Sequence, residues 1–190
     1  MKYVLGMLGV ILVVVLAIIL ISRGGNKDKP PAGQQGKRVV KVSEQAKQGT
    51  SVQFTTQGKL VGEVERRAIR ITITQEERKL DILTGYEEAV ERTQVYPNTQ
   101  AAYETFMTAL DYAGLSRERK ALTNDERAVC PMGRRYIYEL KEYSQELIRL
   151  WDTSCGNKWG TFGGDEKNVR QLFQAQIPEY AKQIKGVKLN

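Results

Sequence analysis

Residues 130–155 read CPMGRRYIYELKEYSQELIRLWDTSC, and the fold turns on whether this stretch is one helix or two strands. Tyr136, Leu140, Tyr143, Leu147 and Trp151 recur at helical spacing, whereas Tyr136, Tyr138 and Leu140 alternate as in a strand, so periodicity alone leaves both forms open. The cysteines decide between them. One continuous helix would hold Cys130 and Cys155 about 37 Å apart, while bonded cysteines need Cα atoms about 4.4–6.8 Å apart. A hairpin turning near Tyr143 to Gln145 brings both thiols to its open end, so we read a disulfide-closed β-hairpin. The bridge is a staple: the close Cys-x-x-Cys spacing of a redox pair is absent. Two free thiols in a reducing cytosol form the rival reading.

Upstream of the hairpin, period-two patterning dominates residues 51–84. Ile69, Ile71 and Ile73 alternate with Arg70, Thr72 and Thr74, which sends one side inward and the other to water. Gln75-Glu76-Glu77-Arg78 separates this strand from Leu80 and Ile82, giving a second hairpin, and residues 51–56 and 90–96 supply further strands. From Asn98, a capping residue type, a helix runs to about Ala113 with Ala102, Phe106, Ala109, Leu110 and Ala113 on one face, widened by Tyr103 and Met107; Gly114 ends it. This helix is expected to cover the sheet.

Downstream, the glycine-rich stretch 156–164 carries Trp159 and Phe162. Asp165 or Asn168 then caps a helix with Val169, Leu172 and Phe173 on its apolar face. Pro178 interrupts that helix or starts a short second one, and the chain closes on a basic tail. The expected fold class is α+β: an N-terminal transmembrane helix, then a twisted antiparallel sheet packed by about two helices.

At the other end, residues 3–21 contain no charge and would span about 28 Å as a helix, close to the hydrocarbon thickness of a bilayer. We read residues 1–22 as a transmembrane signal-anchor helix that contacts the lipid bilayer through residues 3–21, in preference to a cleaved signal peptide, because Ile21-Ser22-Arg23 makes a poor cleavage site. Residues 23–36 (RGGNKDKPPAGQQG) lack large apolar side chains and form a flexible linker. Residues 37–190 have the size of one ordinary domain. Orientation pulls two ways. Six basic residues between 23 and 42 favour a cytosolic domain, while the signal-anchor layout and the cysteine pair favour an extracytoplasmic one, which we adopt. A type IV pilin is a poor match, since the apolar run lacks the acidic residue of the pilin helix.

The composition excludes much chemistry. With no histidine among 190 residues, imidazole triads and His-containing metal sites are impossible within this chain, and two cysteines cannot build a four-thiolate zinc centre. We therefore assign no catalytic residue, no metal site and no cofactor. A carboxylate pair such as Asp81 with Glu87, or Asp111 with Asp152, keeps an envelope hydrolase as an alternative, although spacing selects no pair. The net charge is +7, and the outer domain carries 25 basic against 21 acidic residues, so its surface is mildly basic. Arg66, Arg67, Arg134 and Arg135, with Tyr136 and Tyr138, form the candidate polyanion-binding set, because guanidinium groups beside aromatic rings grip phosphate-rich polymers. Nucleic acid is the less favoured polyanion, since acidic residues are interspersed.

Cys155-Gly156, Gly160-Thr161-Phe162-Gly163-Gly164 and the run Leu172-Phe173-Gln174-Ala175-Gln176-Ile177-Pro178-Glu179-Tyr180 resemble the C-terminal signature of uncharacterised single-pass envelope proteins of episymbiotic candidate-phylum bacteria. The resemblance covers the final fifth of the chain and implies an envelope-exposed domain; it transfers no residue role. The reading that joins these observations is a membrane-anchored cell-envelope binding or scaffolding protein without catalytic activity, whose partner is an envelope protein or polymer.

Overall fold

The computed structural model describes residues 40–123, 125–127, 129–156 and 158–189. The expected transmembrane segment 1–22 and the expected linker 23–36 lie outside the described residues. Among the described residues, no helix is long and apolar enough to cross a membrane.

Six strands form one antiparallel sheet: β1 (Thr50–Gln57), β2 (Arg67–Thr74), β3 (Glu77–Thr84), β4 (Ala89–Pro97), β5 (Arg135–Glu142) and β6 (Gln145–Thr153). Their spatial order is β4-β3-β2-β1-β5-β6. The first four strands are a meander. Helix α1 (Gln100–Tyr112) then returns the chain so that β5 pairs with the free side of β1. Helices α2 (Glu166–Ala175) and α3 (Tyr180–Gln183) follow, and a 3-10 turn at Val42–Gln45 precedes β1. The α+β class expected from the patterning is realised.

Because side chains alternate along a strand, the register sets which residues meet. Leu80, Ile71, Phe54, Tyr138 and Leu150 lie side by side across β3, β2, β1, β5 and β6. None is more than 3% exposed. This row is the floor of the core. Phe54 packs between the Tyr138 and Phe173 rings, at centroid distances of 5.3 and 5.4 Å, and Phe106 meets Phe173 edge-on. Full burial of each such side chain contributes about 1.5–3 kcal/mol.

Helix α1 lies on this face through Tyr103, Phe106, Met107 and Leu110. The expected stripe is corrected here: Ala102 is exposed and Ala109 half-buried, so the buried edge is centred one residue further round. The cap is corrected too. Thr99, not Asn98, accepts from the Ala102 N–H, while the Asn98 amide donates to the Thr74 carbonyl and ties the helix entry to β2. For α2 the sequence left two caps open, and Asp165 holds the position by accepting from the Asn168 N–H.

The decisive hairpin forms as expected. β5 and β6 join through Tyr143 and Ser144, with Tyr143 in the left-handed region at φ 51°. Cys130 and Cys155 are bonded, with Cα atoms 5.8 Å apart. The bridge fastens the segment before β5 to the second residue past β6.

Candidate functional site

The end of β1 is where two of the four sequence-predicted arginines meet. Gln57, the last residue of β1, stands opposite Arg135 on β5 and Ala68 on β2. Gly58 follows and donates to the Arg67 carbonyl at 3.0 Å. The two neighbouring strands thus deliver Arg66 and Arg135 to one place. Both line a small cavity of about 10 Å³ with Gln57, Gly58, Leu60, Val129, Cys130 and Gly133. Leu60 donates to the Pro131 carbonyl at 2.8 Å, and the Cys130–Cys155 bridge holds the 130–133 wall in place.

Arg66 is only 5% exposed. Its guanidinium lies 4.4 Å over the Tyr86 ring, yet its Nε and Nη1 find no acceptor. The Arg135 Nε is equally buried and unpartnered, while its Nη1 donates to the neutral Gln57 Oε1 at 3.3 Å. Burial, followed by the field of Arg66 and Arg149 against that of Glu126 and Asp125, lowers the Arg135 pKa from its ordinary value. A buried donor without a partner costs about 1–3 kcal/mol, and more when the group is charged.

The other four members of the predicted set lie elsewhere. Arg67 is a clasp: it bonds Glu91 at 2.7 Å, Thr84 Oγ1 at 2.9 Å and the Val64 carbonyl at 2.7 Å. Arg134 is exposed, and its backbone N–H donates to Ser154 Oγ. Tyr136 and Tyr138 are buried on the face that packs against the helices, with Tyr138 stacked on Phe162 at 4.1 Å. Arg170, rather than a β5 arginine, covers the Tyr136 ring at 4.5 Å. Phe162 is fully buried, so it serves packing.

Across the opposite sheet face, a polar trough of about 260 Å³ is lined by Gln53, Thr55, Gln57, Ile137 and by charges contributed from both sides. Its ions are paired. Arg70 meets Glu88, Lys141 meets Glu139 at 2.9 Å, and Arg149 grips Glu126 with bonds of 2.6 and 3.2 Å. Gln53 donates to Glu139 at 3.0 Å and Gln57 to Glu88 at 2.7 Å.

One carboxylate departs from its ordinary behaviour. Asp152 faces the helices and follows Ile82, Ile69, Thr56 and Tyr136 across the sheet, in a place where an apolar residue is expected. It is fully buried. Its Oδ1 accepts from Arg119 at 2.7 Å and from the Thr153 N–H at 2.8 Å, whereas no donor reaches Oδ2. Burial, then hydrogen-bond contact with the Glu166 carboxyl and its charge, push the Asp152 pKa up to about 7 against the pull of Thr153 and Arg119. The Tyr138 hydroxyl, also unpartnered, has its pKa raised by burial and by Asp152.

The carboxylates singled out from the sequence have other occupations. Asp111 accepts from the Val42 N–H at 3.1 Å and Ser43 Oγ at 2.7 Å, capping the 3-10 turn. Asp81 accepts from Thr93 and lies 3.5 Å from Lys79. Glu87 is exposed in the β3–β4 turn. Among the described residues, no three His, Cys, Asp or Glu side chains gather as metal ligands. No family model matches this chain, and no curated protein matches it.

Proposed function

We propose that the chain is a membrane-anchored binding or scaffolding protein of the bacterial cell envelope, with residues 37–190 outside the cytosol and no catalytic activity. The Cys130–Cys155 bridge carries this reading, because disulfides form and persist in oxidising compartments. The uncharged run 3–21 supplies an anchor of bilayer length. Binding is supported by the polar trough and the arginine cavity, which share Gln57 and are walled by paired strands and, at the cavity, by the disulfide. Preorganisation of this kind reduces the ordering cost of association.

The test is thiol labelling of intact cells making the full-length chain. A membrane-impermeant maleimide is expected to label both cysteines only after an impermeant reductant has been added. Labelling that requires cell lysis would overturn the extracytoplasmic placement. Release of soluble fragments from isolated envelope polymer by the purified full-length protein would replace binding with hydrolysis.

A further inference from the structure

We infer that Arg66 and Arg135 form a binding site for a single small oxyanion, a carboxylate or phosphate group, in the cavity that they line beside the Cys130–Cys155 bridge. The inference rests on these two guanidinium groups and is independent of where the membrane lies.

Charge comes first. Two permanently cationic groups face one cavity, and the acids around them are already engaged. Glu88 is held by Arg70 and Gln57, Glu126 by Arg149, Asp125 by Arg127, and Glu91 by Arg67. Neither Arg66 nor Arg135 has a carboxylate partner among the described residues. Tyr86 presents only a ring face to Arg66, and Gln57 offers Arg135 a neutral oxygen.

Hydrogen bonding points the same way. Arg66 Nε, Arg66 Nη1 and Arg135 Nε are buried donors awaiting an acceptor. Burial makes such unmet donors rare in folded proteins, and a charged acceptor satisfies both the donors and the uncompensated charge. Water would satisfy the donors alone.

Size then selects the ligand. A cavity of about 10 Å³ has room for one oxygen atom, so the ligand inserts the edge of a carboxylate or phosphate and keeps its remaining atoms outside. A free ion and an acidic side group of a larger partner share this chemistry.

The experiment uses full-length protein in detergent micelles with ¹⁵N-labelled arginine. Sodium phosphate and sodium acetate are titrated separately at constant ionic strength set with sodium chloride. Saturable movement of the Arg66 and Arg135 Nε–H resonances by either anion is expected. Acetate alone identifies a carboxylate ligand, and phosphate alone a phosphate ligand. Arg66→Gln and Arg135→Gln are each expected to weaken binding about tenfold or more, while Arg134→Gln, at an exposed position, binds as the parent does. The inference is overturned if neither anion gives a saturable shift up to about 50 mM, a concentration well above the millimolar range of weak sites. It is equally overturned if both cavity variants bind as tightly as the parent. If those variants fail to fold, the parent titration decides by itself.

Discussion

Burial and the neighbouring Glu166 carboxyl at the start of α2 raise the pKa of Asp152, near the end of β6, to about 7, while Arg119 donates to Asp152 Oδ1 at 2.7 Å. The contact joins two elements by a group whose ionisation falls in the neutral range.

Stability should therefore fall as pH rises through that range. The Asp152 carboxyl has an ordinary value of 3.8 and about 7 in the fold, so between these values the folded chain binds the extra proton. Binding more protons when folded means that stability decreases with rising pH. Urea midpoints measured from pH 5 to pH 8 are expected to decline, and Asp152→Asn should flatten the decline, since the amide oxygen still accepts from Arg119. An unchanged slope in the variant would show that other groups govern it.

Removing the bridge should cost about 3.5 kcal/mol on the chain-entropy account of a closed loop of this length. Cys130 and Cys155 are separated by 25 residues, and the bond also fastens the 130–133 wall of the arginine cavity. The comparison is the urea midpoint of oxidised protein against that of the Cys130→Ala, Cys155→Ala double variant.

Phe54→Ala should destabilise the domain by about 3–5 kcal/mol. Phe54 is 1% exposed at the centre of the five-strand row and contacts aromatic rings on β5 and α2. Loss below about 1 kcal/mol would mean that the surrounding rings collapse into the gap.

Gly160→Ala should be costly, and Gly156→Ala less so. Both glycines have positive φ, at 119° and 110°. A Cβ on Gly160 would lie 2.5 Å from the Trp151 carbonyl oxygen and 2.8 Å from the Asp152 Cα, whereas one on Gly156 meets nothing within 4 Å. The backbone strain common to both is about 1–3 kcal/mol, and the Gly160 variant adds the displacement of β6. Thermal denaturation of the pair separates the two contributions.

The parts legible in the sequence were those carried by short-range pattern or by covalent geometry. Alternation at Ile69, Ile71 and Ile73 announced β2, and the separation of Cys130 from Cys155 resolved the one stretch where helix and strand patterns overlapped. The site was only half legible. Arginine runs drew attention to Arg66 and Arg135, but their meeting depends on β5 pairing with β1 after an intervening helix, and strand order is not written in local periodicity. For the same reason sequence proximity groups Tyr136 and Tyr138 with Arg135, whereas the pleat sends the tyrosines to the other face of the sheet. The Asp152–Glu166 contact left no local signal, because it joins the end of a strand to a helix start beyond a glycine-rich loop.

The late pairing of β5 with β1 also orders events during synthesis. Chains emerge amino end first, so β1 to β4 can assemble while residues 135–142 are still unmade. Throughout that interval the nascent meander displays the backbone donors and acceptors of β1 along an open margin. A ribosome-bound intermediate thus carries an open strand margin in what becomes the middle of the finished sheet, and the arrival of β5 is the event that ends this exposure.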